Sequence, residues 1–331
     1  MATYKIVYDR DSGVVTELSI EYALLQRMPL KNEYELHLCS VKDGSFFKEA
    51  SDADGVSAFI PFTEEVLDRM PACRVVAVPA LGTDFIHRKP AVERGICMCN
   101  VPSYCVEEVA AHTAALLLDG VRRIARQDRR LKEGYWDWEE RGRQRRLSST
   151  TYGLVSFGAI PRRAAAMMKG FGVGLAAYDP FLTDDIFEKM GVRRAGSIEE
   201  LFSICDMVSV HTPYTPQTRH MISDAQFAAI PDSMILVVTG RGGVVDEEAL
   251  KRAIESGKIS AAGLDVIEDE VEYRSVLTSM KEVTLTPHCA YYSEEAEKEL
   301  RETNLLEILD VLEDGKLPRN LVNKELTEIR L

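Results

Sequence analysis

No apolar run in this chain of 331 residues approaches the roughly 20 residues that a membrane-crossing helix needs. A membrane role is therefore not expected. The N-terminus, MATYKIVYDRDSG, has neither a basic leading segment nor a long apolar stretch, so no secretory leader is expected. Cysteine is sparse: seven residues, an odd number, scattered and mostly set in apolar runs. That excludes a disulfide framework and predicts reduced, buried thiols and a cytoplasmic location. Cys97-Met98-Cys99 has no second pair and no nearby histidine, so no metal site is expected. Positive charge is short as well, with 40 Lys and Arg against 53 Asp and Glu and a net charge of −13. Nucleic acid is thereby disfavoured as a partner. One local exception is the arginine-rich stretch from Arg122 to Arg146, which includes Arg141 and Arg143. It reads as a solvated face and loop that pairs with acids elsewhere, or as a basic interaction patch. Short-period repeats and low-complexity segments are absent.

What is present is an ordinary globular composition, 46% hydrophobic and 28% charged. The length suits two domains of roughly 150 residues each. Short apolar runs at Tyr4–Tyr8, Tyr34–Cys39, Gly55–Phe62 and Arg74–Val78 alternate with helical patterns at Ser19–Arg27 and Thr63–Met70. Such alternation predicts parallel sheet covered by helices. Ser103 to Leu131 is the longest helical pattern, with Val106, Val109, Ala110, Thr113, Leu117, Val121 and Ile124 recurring at three or four. Gly134 to Ser149, with Trp136 and Trp138, reads as a long loop. Beyond it, strands are predicted at Tyr152–Phe157, Val173–Tyr178, Asp206–Val210, Met234–Val238, Ala261–Ile267 and Val283–Leu285. Helices are predicted at Pro161–Gly170, Asp246–Ser256 and Ser293–Leu312.

The stretch TYGLVSFGAIPRRAAAMMKGFGVGLAAYD, from Thr151 to Asp179, runs strand, glycine-bearing turn, helix, strand, acid. That is the order of a dinucleotide-binding βαβ unit, and Asp179 follows Gly158 by about 20 residues, as that unit requires. Two fingerprint glycines are replaced, by Ser156 and Pro161. Gly158, where backbone must approach a pyrophosphate, is kept. The amides of Ala159 and Ile160 then open a helix whose N-terminus suits an anion. Asp179 can accept from ribose hydroxyls and repels a 2′-phosphate, which favours NAD; Arg162 and Arg163 are the nearest cations.

In open α/β sheets ligands bind outside the carboxyl ends of the strands. Polar residues of catalytic type stand at successive ends here: His211-Thr212-Pro213, Thr239-Gly240-Arg241, Glu268-Asp269-Glu270 after Asp265, and His288. Gly240, Gly242 and Gly243 are expected to let backbone approach a ligand beside Arg241, whose guanidinium can grip a carboxylate. His288 is the histidine best placed for proton transfer. His211 lines the cofactor site or stabilises its turn. His112, inside the long helix, reads as a packed core residue. His37, His87 and His220 show no partner pattern.

These segments together resemble the D-isomer-specific 2-hydroxyacid dehydrogenase family. The resemblance rests on Asn100-Val101-Pro102 with Val109-Ala110-Ala111-His112, on Tyr178-Asp179-Pro180, and on HTPYTPQTRHMI from His211. RGGVVDEEAL from Arg241, AGLDVIEDE ending at Glu270, TPHCAYYSEEA around His288 and PRNLVN from Pro318 complete it. It covers nearly the whole chain in order, and YDPFL and AYYSEEA lean toward the C-terminal-binding-protein-like branch. The resemblance implies a fold of two doubly wound parallel-sheet α/β domains with a cleft between them. A flavodoxin-like substrate domain would span 1–100 and 290–331, and a Rossmann-type NAD domain 101–289. It implies that Arg241 grips the substrate's carboxylate and carbonyl, that Glu270 bonds the catalytic histidine, and that His288 is the acid/base. Spacing from Arg241 favours Glu270 over Glu268. Asp265 corresponds to an acid near the nicotinamide carboxamide. Ala80-Leu81-Gly82 corresponds to a loop whose amides hold the substrate carboxylate, and Tyr291 shapes the pocket. It also implies a homodimer through the helix starting near Ser103. Besides Ser156 and Pro161, the chain departs from the family at Val238 (usually Asn), Val271 (usually Pro) and Ala80 (often Gly). Two function classes follow: an NAD(H)-linked reductase of a small 2-oxo acid, or a nucleotide-sensing scaffold that keeps the fold.

Overall fold

The computed structural model describes residues 1–136, 142 and 144–329. The chain divides into two compact units, Met1–Tyr104 with Ser293–Leu331, and Cys105–Tyr292. Trp138, Arg141 and Arg143 lie outside the described residues.

In the first unit, strands β1 (Thr3–Asp9), β2 (Glu33–Cys39), β3 (Gly55–Ser57), β4 (Val75–Ala77) and β5 (Cys97–Cys99) form one parallel sheet. Their order, β2-β1-β3-β4-β5, is the flavodoxin-like one. β3, β4 and β5 are buried along their whole length, as expected of parallel strands covered on both faces. Helices α1 (Ser19–Arg27), α2 (Ser45–Ala50), α3 (Glu64–Asp68) and α4 (Arg88–Glu93) connect them. The Thr63 hydroxyl accepts from the Val66 amide at 3.4 Å and caps α3, with Glu64 and Glu65 favourable in its first turn. The apolar run Gly55–Phe62 pairs only as far as Ser57; Ala58 and Phe62 are buried without a ladder. α2, α4 and β5 were not anticipated, since none carries a long periodic pattern.

The second unit opens with α5 (Val106–Arg122) and α6 (Ile124–Lys132). The single helix expected over Ser103–Leu131 is therefore two. Arg123 breaks it with a left-handed φ of 57°, and the Asp119 carboxylate accepts the Ala125 amide at 2.7 Å to start the second piece. Apolar periodicity runs through such a break unaltered and cannot reveal it. The alternation then proceeds through β6 (Thr151–Val155), α7 (Ala159–Lys169), β7 (Gly174–Tyr178), α8 (Asp184–Met190), β8 (Arg193–Arg194), α9 (Ile198–Ile204) and β9 (Met207–Val210). It continues with α10 (Asp224–Ala228), β10 (Met234–Val238), α11 (Glu247–Glu255), β11 (Ile259–Leu264) and β12 (Val283–Leu285). All seven strands are parallel, in the order β12-β11-β10-β9-β6-β7-β8. The first six in sequence take the doubly wound dinucleotide-binding order, and β12 extends it. Val208, Leu236, Val237 and Leu154 form its dry centre.

The chain returns to the first unit as α12 (Glu294–Leu312), capped by the Ser293 hydroxyl, which accepts from the Ala296 amide at 2.9 Å. Arg301 ties this helix to α1 through a two-pronged pair with buried Glu21, at 2.9 and 2.6 Å. Six of the seven cysteines are buried as expected, whereas Cys289 is exposed. Burial pushes the Cys97 thiol up to about 11, which suits an inert core residue. Within the arginine-rich stretch, Arg126 lies 3.6 Å from Glu282 and Arg145 pairs with Asp206. No helix among the described residues is long and apolar enough to cross a membrane.

Candidate active site

Because the seven strands are parallel, their carboxyl ends share one edge of the sheet. The residues on that edge follow the strand order: His288 after β12, Asp265 and Glu270 after β11, Thr239 and Arg241 after β10. His211 and Thr212 follow β9, Ser156 and Gly158 follow β6, and Asp179 follows β7. One ligand lying along the edge would meet them in that sequence.

At the β6 end, Ser156 takes a left-handed φ of 72°, a conformation that glycine adopts freely and serine at a cost of roughly 1–2 kcal/mol. Its hydroxyl is held 3.0 Å from that of buried Thr212. Gly158 is exposed and precedes α7; a Cβ built on it meets nothing within 4 Å. That open cradle, with the amides of Ala159 and Ile160 at the helix start, fits a pyrophosphate. Pro161 is the third residue of α7, where its missing N–H leaves no hydrogen bond unmade. Asp179 accepts the Phe157 and Phe181 amides at 2.9 Å each, one on each oxygen. The remaining lone pairs can take a ribose diol. The residues present thus fit NAD.

His211 is placed by a chain of hydrogen bonds whose direction can be deduced. The Thr113 hydroxyl donates to the Val109 carbonyl at 2.7 Å, so at 3.0 Å Thr239 must donate to Thr113. Thr239 then accepts from His211 Nδ1 at 3.2 Å. His211 Nε2 accepts from Ser209 at 2.7 Å, and Ser209 accepts from the buried Tyr152 hydroxyl at 2.6 Å. The imidazole is the Nδ1–H tautomer with both nitrogens engaged. Desolvation pushes its pKa down to about 3, so it stays neutral. This geometry stabilises the turn and presents Thr239 and Thr212; Pro213, next in line, is exposed.

The glycines around Arg241 also allow a close approach of backbone to backbone. A Cβ on Gly240 would lie 2.8 Å from the Thr212 carbonyl oxygen, and one on Gly243 2.7 Å from the Tyr214 ring. A Cβ on Gly242 would lie 2.0 Å from the Ile267 carbonyl oxygen. The glycines therefore lock the β10 loop between its neighbours, the β9 and β11 loops. Arg241, half-buried, turns its Nη1 onto the Gly240 carbonyl at 2.9 Å.

In the β11 loop the Glu247 carboxylate at the start of α11 accepts the Glu268 amide at 2.8 Å and the Ser275 hydroxyl at 2.5 Å. Glu268 itself lies 2.6 Å from His220 Nε2, which gives that histidine the partner its sequence context did not reveal. Glu270 reaches His288 instead, with Oε2 2.8 Å from Nδ1. The imidazole is 41% exposed, and Nδ1 is the ring nitrogen that Glu270 engages. The Tyr291 ring stands edge-on at 6.3 Å. Asp265, 2% exposed, accepts the Thr286 hydroxyl at 2.6 Å and the Cys289 and Ala290 amides at 3.0 Å each. Its carboxylate binds the loop that carries His288. His112 is half-buried and bonds the Thr286 hydroxyl at 2.9 Å, so it is not the packed core residue expected. Its position three residues after Val109, on the helix face turned to the sheet, was the available signal.

In the first unit, Ala80, Leu81 and Gly82 follow β4. The Ala80 carbonyl accepts the Val101 amide at 3.0 Å, and the Leu81 carbonyl accepts the Asn100 side chain at 2.7 Å. The Ala80 amide is itself engaged, donating to the Val78 carbonyl at 2.8 Å, so of the three residues expected to offer amides, Ala80 does not.

A family model described as the NAD-binding domain of D-isomer specific 2-hydroxyacid dehydrogenases matches residues 114–290, just over half of the chain. The chain is 34% identical over 296 residues to a glyoxylate reductase of Korarchaeum cryptofilum, which covers 86% of each. Among solved structures it resembles the D-lactate dehydrogenase of Aquifex aeolicus in complex with NAD and lactic acid. That match has a TM-score of 0.78 and 28% identity, and covers 94% of this chain and 96% of that one. It also resembles the holo D-mandelate dehydrogenase of Rhodotorula graminis, with a TM-score of 0.84 and 25% identity over 98% and 99% of the two chains.

Proposed function

The chain belongs to the D-isomer specific 2-hydroxyacid dehydrogenase family and binds NAD, and we propose that it reduces a small 2-oxo acid to the D-2-hydroxy acid, or runs the reverse reaction. The observation that carries this reading is the 2.8 Å bond between His288 Nδ1 and Glu270, which stand two strands and one strand along from Arg241, in the unit that binds NAD. Carbonyl reduction needs a proton donor and fixed positive charge beside the oxygen. When bound, NADH supplies the hydride. Arg241 binds the substrate carboxylate and polarises the carbonyl. Glu270 accepts from Nδ1 and orients the ring, so that Nε2 delivers the proton to the carbonyl oxygen. In the oxidative direction Nε2 accepts that proton. Tyr291, edge-on to His288 at 6.3 Å, borders the reacting end.

The relatives' names range from glyoxylate to mandelate, a span of side-chain size that leaves the substrate to be measured. NADH oxidation against glyoxylate, pyruvate, hydroxypyruvate and bulkier branched or aromatic 2-oxo acids finds it. Equal rates for wild type and His288→Ala across that panel would replace this reading with a nucleotide-sensing scaffold. A homodimer through α5 belongs to the same proposal; light scattering that gives a monomer mass at micromolar concentration would contradict it.

A further inference from the structure

His288 has a left-handed φ of 50°, which a residue with a Cβ holds only when its surroundings over-determine it. The main determinant is Asp265, with a second bond from the His288 amide to the Thr286 carbonyl at 3.0 Å. The His288 amide donates to the Asp265 carbonyl at 2.8 Å, and the next two amides, Cys289 and Ala290, donate to its carboxylate. Successive amides around a left-handed residue form a concave anion nest, and here the anion is internal. Asp265 Oδ1 takes a further bond, from the Thr286 hydroxyl at 2.6 Å.

A hydroxyl has one proton to give. Thr286 gives it to Asp265, so the 2.9 Å contact with His112 Nε2 must run from histidine to threonine. His112 Nε2 is thus the N–H nitrogen, and it also lies 3.7 Å from Asp265 Oδ1. The direction is fixed along the whole path: His112 to Thr286, Thr286 to Asp265, with the 288–290 amides closing on that carboxylate from the other side. The path begins on α5, the longest helix of this unit, and ends on the loop that presents His288. His112 makes its hydrogen bond to Thr286 and its ion-pair contact to Asp265, not to His288 or Glu270, so its effect passes through Thr286 and Asp265.

We propose that His112 and Thr286 are positioning residues for His288, acting through Asp265 to fix the left-handed turn that presents the imidazole. Only the kinetic part of its test rests on the dehydrogenase reading. Thr286→Val keeps the shape and removes the hydroxyl, whereas Thr286→Ser keeps the hydroxyl. For Thr286→Val, kcat falls about tenfold or more, because a reacting group displaced by an ångström can cost two orders of magnitude. KM for the 2-oxo acid and Kd for NADH change by less than about twofold, a split that general destabilisation would not produce. Thr286→Ser restores kcat. His112→Ala shows the same split with a smaller loss.

Independently of turnover, amide exchange measured by NMR at Cys289 and Ala290 accelerates in Thr286→Val and His112→Ala and not in Thr286→Ser. Unchanged exchange at both amides in the two disruptive variants overturns the proposal, whatever the kinetics. Absence of wild-type turnover across the panel would refute the dehydrogenase reading, and the exchange result would still decide this one. Should Thr286→Val fail to fold, His112→Ala, which removes only the outer donor, carries the same exchange test.

Discussion

Replacing Gly242 with alanine places a Cβ 2.0 Å from the Ile267 carbonyl oxygen, 2.1 Å from its carbon and 2.7 Å from the Glu268 nitrogen. Ordinary carbon contacts begin near 3.5 Å, so the overlap is about 1.5 Å, and it is with backbone rather than with a side chain that can swing away. Overpacking of a core typically costs 1–3 kcal/mol. With no rotamer able to relieve the clash, the β10 and β11 loops must part, and we expect about 3 kcal/mol or more. In a unit of this size each kcal/mol lowers the melting temperature by roughly 2–4 °C, which gives a drop on the order of 10 °C. Gly158→Ala is the matched control: its φ of −73° is open to alanine and the built Cβ meets nothing. Its stability should be unchanged, or higher by about 0.4–1 kcal/mol through a less flexible unfolded chain. Its NADH affinity should fall at least about tenfold, equivalent to about 1.4 kcal/mol, because the new methyl enters the cradle. Urea unfolding and calorimetric NADH titration of both variants separate the two roles. If Gly158→Ala binds NADH like wild type, the cradle is assigned to the wrong place. If Gly242→Ala keeps wild-type stability, the loops are not locked as described.

His211 makes a pH prediction. Its folded pKa, near 3, lies below the ordinary 6.5, so the unfolded chain binds a proton that the native state does not. The stability this group contributes is complete above pH 6.5 and is lost as pH falls toward 3, by about 2 kcal/mol between pH 7 and 5. His211→Gln should flatten that part of the urea-derived stability profile, and parallel profiles would refute the assignment. Glu270→Gln keeps an acceptor for His288 Nδ1 but removes the charge. Since both side chains are about 40% exposed, stability should barely move. The kcat for 2-oxo acid reduction should fall about 10- to 100-fold, within the range of general acid catalysis, and a wild-type kcat would count against this pair.

The sheet of the second unit was legible because each strand is a short apolar run ending in turn residues, and because parallel strands put such ends on one edge. Arg241, His288 and the Glu268-Asp269-Glu270 loop stand out on that ground, Gly158 and Asp179 on the spacing of the βαβ unit, and Glu270 on the family resemblance; the alternating pattern gave the α/β class. The left-handed residues were mostly hidden: Ser156 stands at a fingerprint glycine position, which hints at its conformation, but nothing local announces Arg123 or His288. Long-range pairing was equally silent. Glu21 and Arg301 meet across nearly the full length of the chain, and His112 meets Thr286 from the far side of the unit's sequence. The glycines near Arg241 were visible, but their purpose depends on which loop lies against them. The choice between Glu268 and Glu270 is clarified by His220, which occupies the former.

Purified protein, NADH and the 2-oxo acid panel, followed by NADH absorbance and by chiral analysis of the product, test the central claim most directly. The account predicts NADH consumption with at least one member, a D-2-hydroxy acid wherever the product is chiral (glycolate from glyoxylate is not), and loss of that turnover in His288→Ala. An L-product, or the same rate in wild type and His288→Ala for every member, would contradict it.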